Sequence, residues 1–344
     1  LGLDIVSLSC VSYFEIKMST LYPLRFKTIF KDKIWGGSKI KTVLGKDYDP
    51  LPNCGETWEL SAVAEEPSVI DNGVFAGQDL NALVKTHGAE LMGKKNLERF
   101  GNEFPLLIKF IDANADLSIQ VHPDDTLANE RHNCAGKTEM WYILAADEAA
   151  RLNVGFNKQT NKDEYLDYLN KGKILDLLHY ETVAAGDVFY LPAGRIHYIG
   201  RGILLAEIQQ TSDITYRIYD FDRKDAKGNK RELHTELALD AIDFSHVEDY
   251  KTKYEAEENI PVNLVDSKYF TTDLFVLTDE IELDYSETDM FRIFVIVEGD
   301  VMMTTEQNKS DLLTFGDVVL VPASVKEVLF SPLGEVKILE VYIP

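Results

Sequence analysis

Cysteine is scarce in this sequence of 344 residues: Cys10, Cys54 and Cys134 are the whole set. They lie far apart and form no Cys-x-x-Cys pair. That excludes a disulfide framework and a cysteine zinc site, and it predicts three unpaired thiols in a reducing compartment, with the cytoplasm as the expected location. Long hydrophobic runs are absent too. No stretch reaches the ~18 apolar residues needed to span a bilayer. Basic residues are outnumbered, 35 Lys and Arg against 58 Asp and Glu, for a formal net charge of −23. Such a field excludes nucleic acid and anionic membrane as main partners. It also means that an anionic small molecule would have to be captured by a few local cations. The N-terminal stretch LGLDIVSLSCVSYFEIK has a short apolar segment from Val6 to Phe14 but no basic start and no small-residue cleavage site, and it carries Asp4. It does not read as a secretory signal. Met18 reads as the natural start, with residues 1–17 an upstream extension outside the fold.

What the chain has in quantity is strand-and-turn chemistry. Helical periodicity is confined to Leu80–Phe100 with a break near Gly88, to Glu164–His179 interrupted at Gly172, and to Leu233–Ile242, capped at His234-Thr235. Elsewhere short apolar or alternating runs sit between Gly, Pro, Asn and Asp: Leu106–Ile111, Leu117–His122, Met140–Leu144, Val188–Pro192, Leu204–Ile208, Phe291–Val297 and Val318–Pro322. Two of these segments repeat. Gly186-Asp187-Val188-Phe189-Tyr190-Leu191-Pro192-Ala193 returns as Gly316-Asp317-Val318-Val319-Leu320-Val321-Pro322-Ala323, and Trp141–Asp147 returns as Phe294–Asp300. A strand, a tight turn and a Gly-Asp turn into a strand ending at Pro-Ala is how a jelly-roll barrel pairs its strands, and G-D-x-x-x-x-P-x-x-x-x-H resembles the second motif of cupin barrels. The fold is therefore predicted to be mainly β, with two cupin (jelly-roll) barrels, a few inserted helices, and a degenerate second barrel. Residues 18–99 add strands and helices to a metal-binding barrel over 100–215, residues 216–254 connect, and residues 255–344 form the degenerate barrel. The longer spacing in the first copy, 147–186, is an insertion that carries the 164–179 helix.

Four side chains in the first copy have metal-ligand character. Gln120 and His122 are two apart in LSIQVHPDD and project from one face of a strand, while Ile119 and Val121 pack the other way. Glu139 opens the next strand in GKTEMWY, and His197 follows the second turn in PAGRIH. Neighbouring barrel strands can bring the four to one point. Two imidazoles and a carboxylate form the donor set of several catalytic zinc sites, with room for water or substrate, and a glutamine carbonyl adds a neutral ligand. A metal ion is expected there, and Zn²⁺ with a single carboxylate would leave a net positive site suited to polarising a carbonyl. In the second copy Arg292 stands where Glu139 does and Glu327 where His197 does, so that copy is expected to hold no metal. His87, His132, His179, His234 and His246 read as structural or surface residues.

The stretches Ile34-Trp35-Gly36-Gly37, GETWE (55–59), LSIQVHPDD (117–125), GKTEMWY (136–142), PAGRIHYIG (192–200) and EIQQTSDITYRIYDFDR (207–223), in that order, resemble the type I mannose-6-phosphate isomerases. The resemblance spans nearly all of Met18–Pro344 and is closest to the short bacterial form, without the large helical insertion of longer relatives. It implies a zinc-dependent interconversion of mannose 6-phosphate and fructose 6-phosphate through a cis-enediol, with metal on Gln120, His122, Glu139 and His197. It implies catalytic roles for Lys137 and Arg217, with Asp213 an acidic residue near that arginine, and places Lys109 and Ser118 in or near the substrate pocket. Lys109 in an otherwise apolar strand is costly unless it meets an anion. The proton-moving group stays open between Lys137, Asp213 and metal-bound hydroxide. Two rival readings remain: an Fe(II) dioxygenase, since two His and a carboxylate also suit that metal, and a non-enzymatic sugar-binding cupin. The partner expected is a small sugar phosphate, and homo-oligomerisation is left open.

Overall fold

The structure is a computed structural model and describes residues 21–224, 227–306 and 310–344. The expectation for residues 1–17, and Cys10 with it, falls outside the described residues; Cys54 and Cys134 are free thiols. The chain is mainly β. Its first barrel is built from β1 (Ile29–Lys31), β2 (Glu56–Leu60), β3 (Leu106–Ala113), β4 (Ile119–Val121), β5 (Glu139–Ala146), β6 (Arg151–Phe156), β7 (Leu178–Thr182), β8 (Val188–Leu191), β9 (His197–Tyr198), β10 (Ile203–Gln210) and β11 (Tyr216–Tyr219). The second uses β12 (Val262–Asp266), β13 (Thr271–Leu277), β14 (Ile281–Asp284), β15 (Arg292–Glu298), β16 (Val301–Thr305), β17 (Ser310–Leu313), β18 (Val318–Val321), β19 (Glu327–Pro332) and β20 (Val336–Tyr342).

Sheet order shows that the repeat is structural. In the first barrel β1-β2-β3-β10-β5-β8 faces β11-β4-β9-β6-β7; in the second, β12-β13-β20-β15-β18 faces β14-β19-β16-β17. The repeated Gly-Asp turns explain why those two residues recur. Gly186 and Gly316 have φ of 90° and 91°, a region closed to most side chains. Each donates its N–H to the strand before it, to Ile143 O at 2.8 Å and Ile296 O at 2.9 Å. Each following aspartate folds back to accept a backbone N–H, from Ala184 at 2.9 Å and Thr314 at 2.8 Å. The turn is the same object twice.

Alternation along the strands divides the molecule into layers. On β3, Leu106, Ile108 and Phe110 join Met140, Tyr142, Leu204, Ala206 and Ile208 in a buried apolar layer. Ile293, Val295, Leu339 and Val341 enter the same layer from the second barrel, so the barrels are joined through the outer faces of their larger sheets. The intervening residues point into the barrels. In the first, one cross-strand row reads Trp58, Lys109, Glu207, Trp141, Phe189.

The helices are add-ons to this frame. α1 (Lys39–Thr42) is a single turn; α2 (Leu80–Met92) and α3 (Lys94–Phe100) pack onto the apolar layer. Asp79 caps α2 by accepting Ala82 N–H at 2.7 Å, and the kink falls at His87, beside the expected break. A side chain at Gly88 would meet the end of the Leu97 side chain at 2.7 Å, so α3 packs closely on α2 at that point. α4 (Asp125–His132) follows β4, and α5 (Lys162–Asn170) sits in the 157–177 insertion. The helix predicted to His179 stops earlier. After Gly172 the chain makes a short 3-10 turn at Ile174–Leu177 and then enters β7, so Leu178 and His179 are strand residues. α6 (Thr235–Ala241) has no side-chain cap from His234, contrary to expectation. β11 pairs with β4, so the first barrel runs past residue 215.

In the second barrel, Arg292 pairs with Val321 as Glu139 pairs with Leu191, so the two occupy equivalent register. Its guanidinium lies 2.8 Å from Glu340 Oε1 and 4.5 Å from the centroids of Tyr285 and Tyr342, all near the buried interior. Tyr285 OH donates to Glu340 at 2.7 Å. Glu340 is equivalent to Glu207, and Glu327 is exposed. A guanidinium thus neutralises the buried carboxylate here. Arg292→Ala leaves Glu340 unpaired and is expected to cost about 3–5 kcal/mol of folding stability, read as a lower denaturation midpoint. The double change Arg292→Met with Glu340→Leu should recover most of it. An unchanged midpoint in Arg292→Ala would show that this pair is not buried in solution.

Candidate active site

Four expected ligands converge inside the first barrel. β4 turns Ile119 and Val121 outward into a core with Ile196, Tyr198 and Tyr216, which leaves Gln120 and His122 facing in. Gln120 is the cross-strand partner of His197 at the start of β9. Donor atoms of His122, Glu139 and His197 lie within 4.8 Å of one another, and all three residues are buried.

Proton positions follow from the outer partners of the two imidazoles. His122 Nδ1 is 2.8 Å from Ile214 O, and His197 Nδ1 is 2.8 Å from Arg195 O. A carbonyl only accepts, so both Nδ1 atoms carry hydrogen and both Nε2 atoms present lone pairs to the interior. Burial pushes both rings toward the neutral form, His122 well below the usual range and His197 to about 4. Opposite them lies Glu139, whose Oε2 is 3.5 Å from His122 Nε2 and whose Oε1 is 3.3 Å from His197 Nε2. Toward the imidazoles acceptors face acceptors; the donor nearest Glu139 is the Lys137 ammonium, on Oε2. The Gln120 amide nitrogen sits 3.4 Å and 3.3 Å from the same two Nε2 atoms. Half a turn of that amide puts its carbonyl oxygen there instead. Buried lone pairs that converge without protons to share fit a divalent cation.

Next to this set is a buried charge network. Lys137 Nζ lies 3.2 Å from Glu139 Oε2 and 3.8 Å from Glu207 Oε1, and Lys109 Nζ lies 3.4 Å from Glu207 Oε1. Trp141 Nε1–H donates to Glu207 Oε2 at 2.9 Å. Burial works against the Lys137 charge, but Glu139, Glu207 and Asp213 outweigh it and hold the ammonium above the usual lysine range. Burial and the Glu207 charge push Glu139 up; Lys137 and Lys109 pull Glu207 down despite its own burial.

Each predicted residue can now be placed. Lys109 meets an anion within the protein, Glu207, and is only 3% exposed. Ser118 and Arg217 are together: Arg217 Nε–H donates to Ser118 Oγ at 3.3 Å and Nη1–H to Glu232 O at 2.9 Å. Arg217 is the cross-strand neighbour of Gln120, so it faces the same interior. Asp213 is exposed at the rim, and its charge acts on Lys137 and Lys31. The largest charges acting on Arg217 are those of Arg231, Asp220, Arg223 and Glu232. Sequence reading missed Glu207 and Trp58. Glu207 carried the same signal as Lys109, a charge inside an apolar strand, and the two are cross-strand partners. Lys109 and Lys31 lie 5.3 Å and 4.5 Å from the Trp58 ring centroid.

A family model for the type I phosphomannose isomerase catalytic domain matches residues 23–148. A mannose-6-phosphate isomerase of Bacillus subtilis is 38% identical over 290 residues, covering 83% of this chain and 88% of that protein. A mannose-6-phosphate isomerase of Streptococcus mutans is 35% identical over 318 residues, covering 92% and 97%. The crystal structure of the Bacillus subtilis mannose 6-phosphate isomerase superposes with a TM-score of 0.84 at 34% identity, over 93% of this chain and 99% of that one.

Because a divalent cation would satisfy the facing lone pairs, His122→Ala and His197→Ala should each lose most bound divalent metal, measured by elemental analysis of the purified protein. Chelation of the wild type should lower its thermal midpoint, and added divalent metal should restore it. Wild-type metal content in either variant would rule this centre out.

Proposed function

Because the chain belongs to the type I phosphomannose isomerases, we propose that it interconverts mannose 6-phosphate and fructose 6-phosphate in the cytoplasm. In this reading one zinc ion per chain rests on Gln120, His122, Glu139 and His197. The observation that carries it is the convergence of proton-free donors beside two buried lysines, Lys109 and Lys137. When bound, the ion supplies Lewis-acid polarisation of the sugar's carbonyl and hydroxyl oxygens.

The isomerisation passes through a cis-enediol: a proton leaves the carbon next to the carbonyl and returns to its neighbour. The chain's own residues supply position and charge. Lys137, held by Glu139 and Glu207, is aimed as a hydrogen-bond donor toward a sugar oxygen that gains negative charge. Arg217 shares the inner face of Gln120, and its planar fork suits the same task from the β11 side. Asp213, on the rim within reach of the Lys137 charge, is the side chain we assign to accept and return the proton. Trp58, Trp141 and Phe189 wall the interior and exclude water from it.

A coupled assay for fructose 6-phosphate formation from mannose 6-phosphate tests the reading directly. Turnover should vanish on chelation and return with Zn²⁺, while free mannose should be a very poor substrate, since remote phosphate binding lowers the barrier at the reacting carbons. Oxygen uptake without isomerisation would replace this reading with an oxygenase. Arg217→Ala should keep its metal and near-native thermal stability yet lose roughly 10²-fold or more in kcat. A rise in KM at unchanged kcat would make Arg217 a ground-state anchor instead.

A further inference from the structure

Arg217 stands on a strand with an open side. β11 is the last strand of its sheet, with β4 along one edge and, among the described residues, no strand along the other. Its ladder is also interrupted. Arg217 pairs with Gln120, but Tyr219 pairs with Ile119, so Ile218 is an extra, bulged residue. A bulged edge strand fixes its side chains poorly unless its free side is held. At Arg217 the holding is done by a single residue, His234, 17 positions further along the chain.

His234 divides its polar groups between the strand and the helix that follows. Its N–H donates to Arg217 O at 2.7 Å, and its ring Nδ1 accepts Arg217 N–H at 3.1 Å. Its own carbonyl accepts Ala238 N–H at 2.9 Å, a bond that opens α6. The ring expected to cap α6 is spent on the strand instead. His234 thus does for Arg217 what a neighbouring strand would do, satisfying both of its main-chain groups. A backbone N–H only donates, so Nδ1 is bare and the ring hydrogen sits on Nε2. That is the reverse of the tautomer at His122 and His197.

The contact sets where the Arg217 side chain goes. Because its N–H and C=O both turn to His234, they point away from β4. Arg217 and Gln120 therefore form the kind of antiparallel pair without mutual hydrogen bonds, in which facing side chains come closest. The guanidinium is held by the same segment, Nη1–H donating to Glu232 O at 2.9 Å. That segment is itself anchored at both ends. Arg231 and Arg223 share the buried Asp220 carboxylate, with Arg231 Nε–H donating to Oδ2 at 2.7 Å. Beyond His234, Ala238 of α6 is buried in the core with Ile119, Val121 and Tyr216.

We propose that His234 is a positioning residue of the isomerisation: its bare Nδ1 and its N–H hold the Arg217 backbone so that the guanidinium is aimed at the sugar oxygen that gains charge. This inference rests on the isomerase reading above. The test separates the acceptor from the ring. His234→Phe keeps a ring beside Tyr216, now 6.4 Å away between centroids, and removes the acceptor; His234→Asn removes the ring and keeps an acceptor at the Nδ1 position. In metal-loaded protein, His234→Phe should lose roughly tenfold or more in kcat, short of the ~10² that a misplacement of about 1 Å costs. KM should move in the same sense as in Arg217→Ala. His234→Asn should recover most of the loss. Added to Arg217→Ala, His234→Phe should cost little more, because both act through one guanidinium. Wild-type kcat in His234→Phe, an equal loss in His234→Asn, or full multiplication of the two losses would each overturn the inference and leave His234 as packing. Another readout needs no activity: amide hydrogen exchange at Arg217, followed by NMR, should quicken about tenfold in His234→Phe and stay near wild type in His234→Asn. A His234→Phe chain that melts early is replaced by His234→Leu, for which the same outcomes count. If the wild type turns over no mannose 6-phosphate, the isomerase reading fails separately. Exchange then decides the clamp, and equal rates in wild type and His234→Phe overturn it.

Discussion

The alternation of β3, β5 and β10 between two environments is the constraint on which everything else rests. Their outer faces supply the apolar layer that joins the barrels, and their inner faces carry Lys109, Glu139 and Glu207. A slip of one residue would exchange the two sets, driving three charges into the apolar layer and exposing Ile108, Met140 and Ile208 to the charged interior. The cost of either change is large, so register is held from both sides. Burial of the second barrel against the first thus does more than stabilise: it keeps the first barrel's polar side chains pointed at one another.

Within that frame the interior is close to electroneutral. Lys109 and Lys137 face Glu139 and Glu207, so four buried charges cancel in pairs. Breaking one pair would strand a charge in a region that water does not reach. The balance has a chemical consequence. A divalent ion at His122, Glu139 and His197 would arrive as a net positive charge, and the neutral imidazoles would not offset it. An acidic protein can in this way hold a cationic interior, with the arginine cluster on β11 extending that sign toward the rim.

The two barrels show how one backbone plan accepts two solutions to the same problem. Each has a carboxylate in the same inner row, Glu207 and Glu340. In the first, two lysines neutralise it together with Glu139, and Glu139 also faces the two imidazoles as a third donor. In the second, Arg292 takes the Glu139 position and closes the account with Glu340, clamped between Tyr285 and Tyr342. The frame is common; the side chain at one register position separates a donor cavity from a filled core.

Much was legible in the sequence because it depends on neighbours a few residues apart. Gly-Asp turns need a glycine at positive φ, and alternation puts Gln120 and His122 on one face, so the barrel repeat, the mainly β fold and the convergence of Gln120, His122, Glu139 and His197 could be read from spacing. The break near Gly88 was readable for the same reason. What spacing could not show were partners set by long-range register. Lys109 announced a buried anion, but only the pairing of β3 with β10 shows that Glu207 stands opposite it. The apolar spacing of 164–179 suggested one helix, but pairing of β7 with β6 drew Leu178 and His179 into a strand, since ladder hydrogen bonds outweigh local propensity. Spacing gave no expectation for Asp220. The bulge at Ile218 turned it inward onto Arg223 and Arg231, and a bulge is a property of two strands together, not of the one that carries it.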